Sequence, residues 1–345
     1  MFDLQHHWSR ITPLHLILFP VSLLFRLLVA LRRTLYRGRI LSSYKLAVPV
    51  IVVGNISIGG TGKTPLTLAL AQQLIDRGWH PLIVSRGHGG AAQQPQQVDA
   101  DSAAQQVGDE PLLMARRNLC PVWIGKDRAA AAQAALQAHP QCDVVLCDDG
   151  LQHYRLQRDV EVAVVDGMRG FGNGFMLPAG PLREPVARLR SVDAVVVNGG
   201  ETPAADLFKQ GAMNLAPTIG RYAMRLSGEI FHNLLDPGKT ATAGYFHKLN
   251  NHAVAGIGHP PRYFRYLQTL GVSFTPHAFP DHHPYSASDL AFAGCDAILL
   301  TEKDAVKCAA FADARYWVLR VDAQLDPALV DHILRKIESH GRKTA

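Results

Sequence analysis

Cysteine is scarce in this chain and never paired. The five present (Cys120, Cys142, Cys147, Cys295, Cys308) form no C-x-x-C, which argues against a zinc site or a disulfide scaffold and for a reduced, cytosolic setting. An unbroken apolar run is also missing. The best candidate, LHLILFPVSLLFRLLVALRRTLYRGR, is interrupted by Pro20, Ser22 and Arg26, short of the ~20 clean residues a spanning helix needs. No small-residue cleavage site follows it, so it does not read as a cleaved secretory signal. Acids are nearly absent from the same region: residues 1–46 hold seven Arg and Lys against Asp3 alone, which is the whole net charge of +6. The remainder is balanced, and a general nucleic-acid surface is excluded. Internal repeats and low-complexity tails are lacking too.

What is there begins with that basic segment. At about 100° per residue, His15, Ser22, Arg26, Arg33 and Arg37 share an arc of roughly 60°. A helix with a wide apolar face and a narrow basic stripe fits lying in a membrane interface, and can dock another face on the protein. From residue 48 onward, apolar β-branched runs (VPVIVV, PLIVS, VWI, DVVLC, VEVAVV, DAVVV) alternate with helical stretches. Runs without period-2 alternation predict a parallel sheet covered on both faces, the α/β core of a P-loop NTPase. The rhythm weakens over 200–250 and resumes with HAVAGI, AILL and YWVLRV. The expected organisation is a membrane-associating helix over 1–40, a kinase-like core over 41–205, and a smaller α/β domain over 206–345. The final helix, near Pro327–Ser339, is free to pack back on the core.

Three places carry chemistry. SIGGTGKT, residues 57–64, follows a strand and opens a helix, the setting of a phosphate-binding loop. It departs from G-x-x-x-x-G-K-[ST], because Ser57 stands at the first glycine, and Ile58 stands where switch ATPases carry a lysine. Ser57, Ile58, Gly59, Gly60, Thr61, Gly62, Lys63 and Thr64 are the expected nucleotide contacts. LCDDG ends a second strand with Asp148 and Asp149, which must point to opposite faces. One is expected to face a metal ion and the other to orient it or the substrate. VGDEP puts Asp109 and Glu110 at a helix start, where either could be an N-cap or a catalytic acid. FPDHHPYS offers His282 and His283 beside Asp281, with no third spaced metal ligand in view. A histidine positioned by a carboxylate is the better reading.

VGNISIGGTGKTP, SRGHGG, VGDEP, DDGLQH, LPAGPLREP, FPDHHPYS and TEKDAVK occur in that order from residue 53 to 307. Together they resemble the tetraacyldisaccharide 4′-kinase family over essentially the whole chain. His88 departs from it, standing where the family more often has tyrosine. The resemblance implies ATP, Mg2+ and phosphorylation of a tetraacyl glucosamine disaccharide 1-phosphate at its 4′-hydroxyl, on the cytoplasmic face of a bacterial inner membrane. It implies that Lys63 and Thr64 contact phosphates and magnesium. Asp148, Asp149 and Glu184 would complete the metal region. Asp109 would be the base and His282 its partner, with Lys63 and Asp149 also catalytic. Arg86, Gln152, His153 and Arg183 would line the cleft with Glu184. The Asp109–His282 pair is expected to form only when the cleft closes over both substrates. A membrane-associated nucleotide-switch ATPase is the alternative.

Overall fold

β-branched runs buried on both faces build the larger of two sheets. The computed structural model describes residue 8 and residues 12–199, 201–209 and 213–339. The outer parts of the expected first and last segments (1–7, 9–11 and 340–345) lie outside the described residues, as do residues 200 and 210–212 inside the chain. The strands of the first half are β1 (Val50–Gly54), β2 (Pro81–Ser85), β3 (Gln96–Gln97), β4 (Val122–Ile124), β5 (Val144–Cys147), β6 (Val160–Asp166), β7 (Ala194–Asn198) and β8 (Gly220–Ser227). They are followed by β9 (Phe231–Asn233), β10 (Thr240–Ala241), β11 (Asn251–Ala255), β12 (Thr275–Ala278), β13 (Ala297–Thr301), β14 (Tyr316–Leu319) and β15 (Asp322–Leu325).

The first sheet runs β15-β8-β7-β6-β1-β5-β2-β4-β3. It is parallel from β8 to β4, with antiparallel edges at β15 and β3. β1 sits between β5 and β6, so the loops after β1 and β5 emerge side by side at the carboxyl ends, where open α/β sheets bind ligands. The second sheet, β10-β9-β14-β13-β11-β12, is parallel from β14 to β12.

The expected boundary at residue 205 falls inside the first sheet, because β8 pairs with β7. The run YWVLRV yields one strand, and a further strand that the sequence reading did not expect follows it directly. Tyr316–Leu319 belongs to the second sheet, while Asp322–Leu325 crosses back and pairs with β8. The last helix, Pro327–Ser339, then buries Leu329, Val330, Ile333 and Ile337 against the first sheet's core.

The N-terminal helix spans Leu14–Arg37, and no helix among the described residues is long and apolar enough to cross a membrane. Its polar arc points inward. His15 and Ser22 are buried; Ser22 Oγ donates to Met176 O and accepts from Ala179 N, both at 2.9 Å. Arg33 Nη2 donates to Ser191 Oγ at 2.6 Å. Only Arg26 and Arg37 of the arc stay in the open. Ile17, Val21, Leu24, Leu28 and Leu31 are exposed on the outer side. The arc turns inward because the carbonyls and amides of segment 173–191 offer the hydrogen bonds that water would otherwise supply.

Candidate functional site

The chain leaves β1 and turns through residues 57–62 into the helix Lys63–Ile75. Gly59 and Gly62 hold φ of 97° and 98°, the left-handed region that glycine enters freely. At Gly62 a Cβ would also lie 2.5 Å from Asn198 Nδ2. The carbonyls of the turn are tied back. Asn198 Nδ2 donates to Thr61 O at 2.9 Å, and Arg169 Nη2 to Gly60 O at 2.7 Å. The stretch Ile58–Thr64 lines a cavity of about 1390 Å³, with the intrahelically unpaired amides of a helix start at its edge. Such a volume exceeds the ~300–1,000 Å³ of an ordinary single-ligand site. Phe25, Val29 and Tyr36 of the N-terminal helix form one wall, and the second sheet's loops form another.

The two aspartates after β5 separate as strand geometry requires. Asp149, with φ of 49°, lines the cavity. It lies 3.5 Å from Lys63 Nζ and 3.1 Å from Arg183 Nη1. Burial opposes its ionisation, but Lys63 and then Arg183 outweigh it and hold the carboxyl well below the usual range. Asp148 is fully buried beneath the cavity and accepts from Thr67 Oγ1 at 3.0 Å. Burial, reinforced by Glu110, pushes it up to about 7.

Asp109 opens the helix Asp109–Arg116 but caps nothing, since Gly108 is the N-cap and no side-chain cap bond forms. The capping reading therefore fails. Its Oδ2 instead meets His282 Nδ1 at 3.0 Å. His282 comes from the loop after β12 with φ of 61°, a conformation a non-glycine residue keeps only where neighbours hold it. The pair is already joined in this structure, contrary to the expectation that it needs closure. The reason is packing. Arg117 Nη2 bonds Glu302 Oε2 at 2.7 Å, tying the two sheets together. At Gly258 a Cβ would lie 2.9 Å from Gly60 N, so the second sheet's loop already rests on the glycine turn. His282 and Glu110 form the cavity wall, with Asp109 one layer deeper and its carboxylate 12% exposed.

Arg86, Thr64, Gln152, His153 and Arg183 line the same cavity. Gln152 Nε2 donates to Asn55 O at 2.9 Å, bracing the glycine turn. Burial and then Arg128 push the His153 imidazole down to about 4. Two expectations are corrected. Glu184 lines the cavity as expected, but it is buried with its carboxylate engaged by Tyr154 Oη at 2.6 Å and by Arg188 at 2.9 Å, which commits it to an internal network and not to a metal. Ser57 bridges to Leu182 and is absent from the cavity wall.

A magnesium ion fits the donor chemistry only if phosphate oxygens share its shell. Among the described residues no cluster of three His, Cys, Asp or Glu could hold a metal alone. One or two carboxylates with a hydroxyl suit magnesium that keeps phosphate and water ligands. Asp149 and Thr64 line the cavity, and Asp148 Oδ2 is buried without a hydrogen-bond partner.

Sequence reasoning passed over Lys303, Asn198, Arg169 and Arg128. Lys303 lies in the motif TEKDAVK, whose local sequence does not reveal its partners. Its Nζ lies 3.0 Å from Asp281, 3.3 Å from Glu110 and 3.3 Å from His282 Nε2. Arg128 Nη2 donates to Asp149 O at 2.7 Å. Nothing in the local sequence marks Asn198 or Arg169.

Fold and site together define a parallel-sheet α/β protein whose cleft, at the strand ends, is walled by amides, cations and a carboxylate–imidazole pair. The chain belongs to the tetraacyldisaccharide-1-P 4′-kinase family, whose model matches residues 14–338. It is 50% identical over 341 residues to the tetraacyldisaccharide 4′-kinase of Azoarcus sp. (strain BH72), covering 98% of this chain and 96% of that one. The enzyme of that name from Dechloromonas aromatica (strain RCB) is 49% identical over 346 residues, covering 99% and 98%. The fold is similar to the crystal structure of the "apo" form of LpxK from Aquifex aeolicus in complex with ATP, with a TM-score of 0.75 at 28% identity, covering 94% of this chain and 99% of that one.

Proposed function

We propose that this protein transfers the γ-phosphate of ATP to the 4′-hydroxyl of a tetraacyl glucosamine disaccharide 1-phosphate, a lipid A precursor, at the cytoplasmic surface of the inner membrane. The observation that carries the reading is the Asp109–His282 pair, 3.0 Å apart, beside the cavity that the glycine turn also lines. The turn 58–64 is the phosphate loop. Lys63 and Arg183 supply positive charge where the transferring phosphoryl group spreads its own.

Asp109 accepts the 4′-hydroxyl proton. The oxygen attacks the γ-phosphorus, and the bond to the β–γ bridging oxygen breaks to release ADP. His282 orients the carboxylate. Thr64, Asp148 and Asp149 would hold magnesium, which supplies charge neutralisation at the phosphates when bound. The N-terminal helix offers its outer face (Val21, Leu24, Leu28, Leu31) to the bilayer that holds the acyl chains.

The test is transfer of labelled γ-phosphate to the acylated disaccharide. Asp109→Asn is expected to lower kcat by ~10²-fold or more while ATP binding changes little. Adding His282→Ala should cost little further, since residues acting as a unit are non-additive. ATP turnover that ignores the lipid would refute the reading.

A further inference from the structure

Lys303 lies in the first turn of the helix Glu302–Cys308, and its side chain is only 15% exposed. Its ammonium reaches Asp281 Oδ1 at 3.0 Å, Glu110 Oε1 at 3.3 Å and His282 Nε2 at 3.3 Å. An ammonium has protons and no lone pair, so it donates in all three contacts. His282 Nε2 must then be a bare acceptor. At the other nitrogen, a carboxylate oxygen accepts, so Nδ1 carries the ring's proton and donates to Asp109 Oδ2 at 3.0 Å. Burial works against the charge on Lys303, but Glu110 and Asp281, joined by Asp109, raise its pKa above the ordinary value. The groups facing the ring come from four elements. They are Asp109 and Glu110 on one helix, Asp281 on the ring's own loop, Lys303 on another helix, and His88 edge-on with ring centres 5.5 Å apart.

From this geometry we infer that Lys303 is a positioning residue: donating to Nε2, it holds His282 as the Nδ1–H tautomer, so that His282 aims Asp109 and leaves it as the proton acceptor. The inference rests on the proposed kinase reading of that pair. With both ring nitrogens committed, His282 has no free lone pair for a substrate proton. It is an orienting donor and not a base. Lys303 also spans Glu110 from the first sheet's side and Asp281 from the second's, so the ring is fixed where the two sheets meet.

Ring-15N-histidine labelling of the full chain, with His282→Gln to assign the signal, reads the tautomer directly. The wild-type ring is expected to show one protonated nitrogen, Nδ1, at neutral pH. In Lys303→Met, Nε2 loses its donor while Asp281 stays 3.9 Å away, so the variant should no longer show a single fixed tautomer. Its kcat should fall roughly 10- to 100-fold, the scale of lost orientation, with KM for ATP little changed. Lys303→Arg, still a donor, should keep the single-proton pattern. A wild-type ring protonated on Nε2, or on both nitrogens, overturns the inference even if Lys303→Met does not fold. Full kcat in a folded Lys303→Met overturns it as well. Asp109→Asn assayed alongside separates the two claims: full activity there sinks the base assignment itself, whatever the ring shows.

Discussion

Asp148 and Asp149 are chemically identical neighbours with opposite environments. Alternation along the strand end sends one beneath the helix Lys63–Ile75 and the other into a nest of cations. Lys63 is the member of that nest next to the glycine turn. Lys63→Ala should cut phosphoryl transfer by ~10²-fold or more while leaving the fold intact, because Arg183 still compensates Asp149. Near-normal turnover of the folded variant would reject the nucleotide assignment. His153 makes a prediction about stability. Its folded pKa is lowered to about 4 by burial and Arg128, against ~6.5 in an unfolded chain. Between those values the unfolded state binds a proton that the native state refuses. Its contribution is therefore fully present above pH ~6.5 and is lost as pH falls towards ~4. Urea midpoints at pH 7 and pH 5 should differ less in His153→Gln than in the wild type. An unchanged difference would show that His153 titrates normally.

At the scale of elements, the N-terminal helix reverses the simple picture of an amphipathic surface helix. Its polar arc was expected to face water and headgroups, yet Ser22 and His15 are buried against segment 173–179. Ser22→Ala would strand Ala179 N, at a cost of ~1–3 kcal/mol for an unsatisfied buried group, while Met176 O keeps its bond from Gly180 N. Faster amide exchange over residues 14–37 would report the loosened contact, and unchanged exchange would show that the docking does not depend on it. The outer face predicts the converse behaviour. Leu24→Glu with Leu28→Glu should release the protein from anionic vesicles without changing Tm, since both side chains are more than half exposed. Retained sedimentation would place the membrane surface elsewhere.

On the scale of the whole molecule, the two sheets are stitched together by a chain that crosses and returns. β15 completes the first sheet after β14 has completed the second. The last helix then places Leu329, Val330, Ile333 and Ile337 in the first sheet's core, with Leu70 and Leu74. Each such side chain contributes ~1.5–3 kcal/mol, so the four together reach the scale of a protein's entire stability. Truncation after Val321 should therefore destabilise the first sheet and not merely trim the second. Rapid amide exchange in Lys63–Ile75 of the truncated chain would show it. Native-like protection there would mean that the return is dispensable.

The sequence alone determined the alternating strands and helices, the glycine turn behind β1, the acids after β5 and the family, because those signals are local. They consist of period, spacing and motif order. The final helix, expected near Pro327–Ser339, spans those residues. Only the tertiary structure decided what depends on contacts distant in sequence. Whether Asp109 caps its helix or meets His282, 173 residues away, turns on how two sheets pack. Glu184 was drawn inward by Tyr154 and Arg188, and Lys303 acquired three partners from two segments, none visible in its own motif. YWVLRV shows the limit most simply. Its hydrophobicity predicts the strand Tyr316–Leu319, but the strand Asp322–Leu325 directly after it, which crosses back to β8, carries no such run and depends on where the chain must go next.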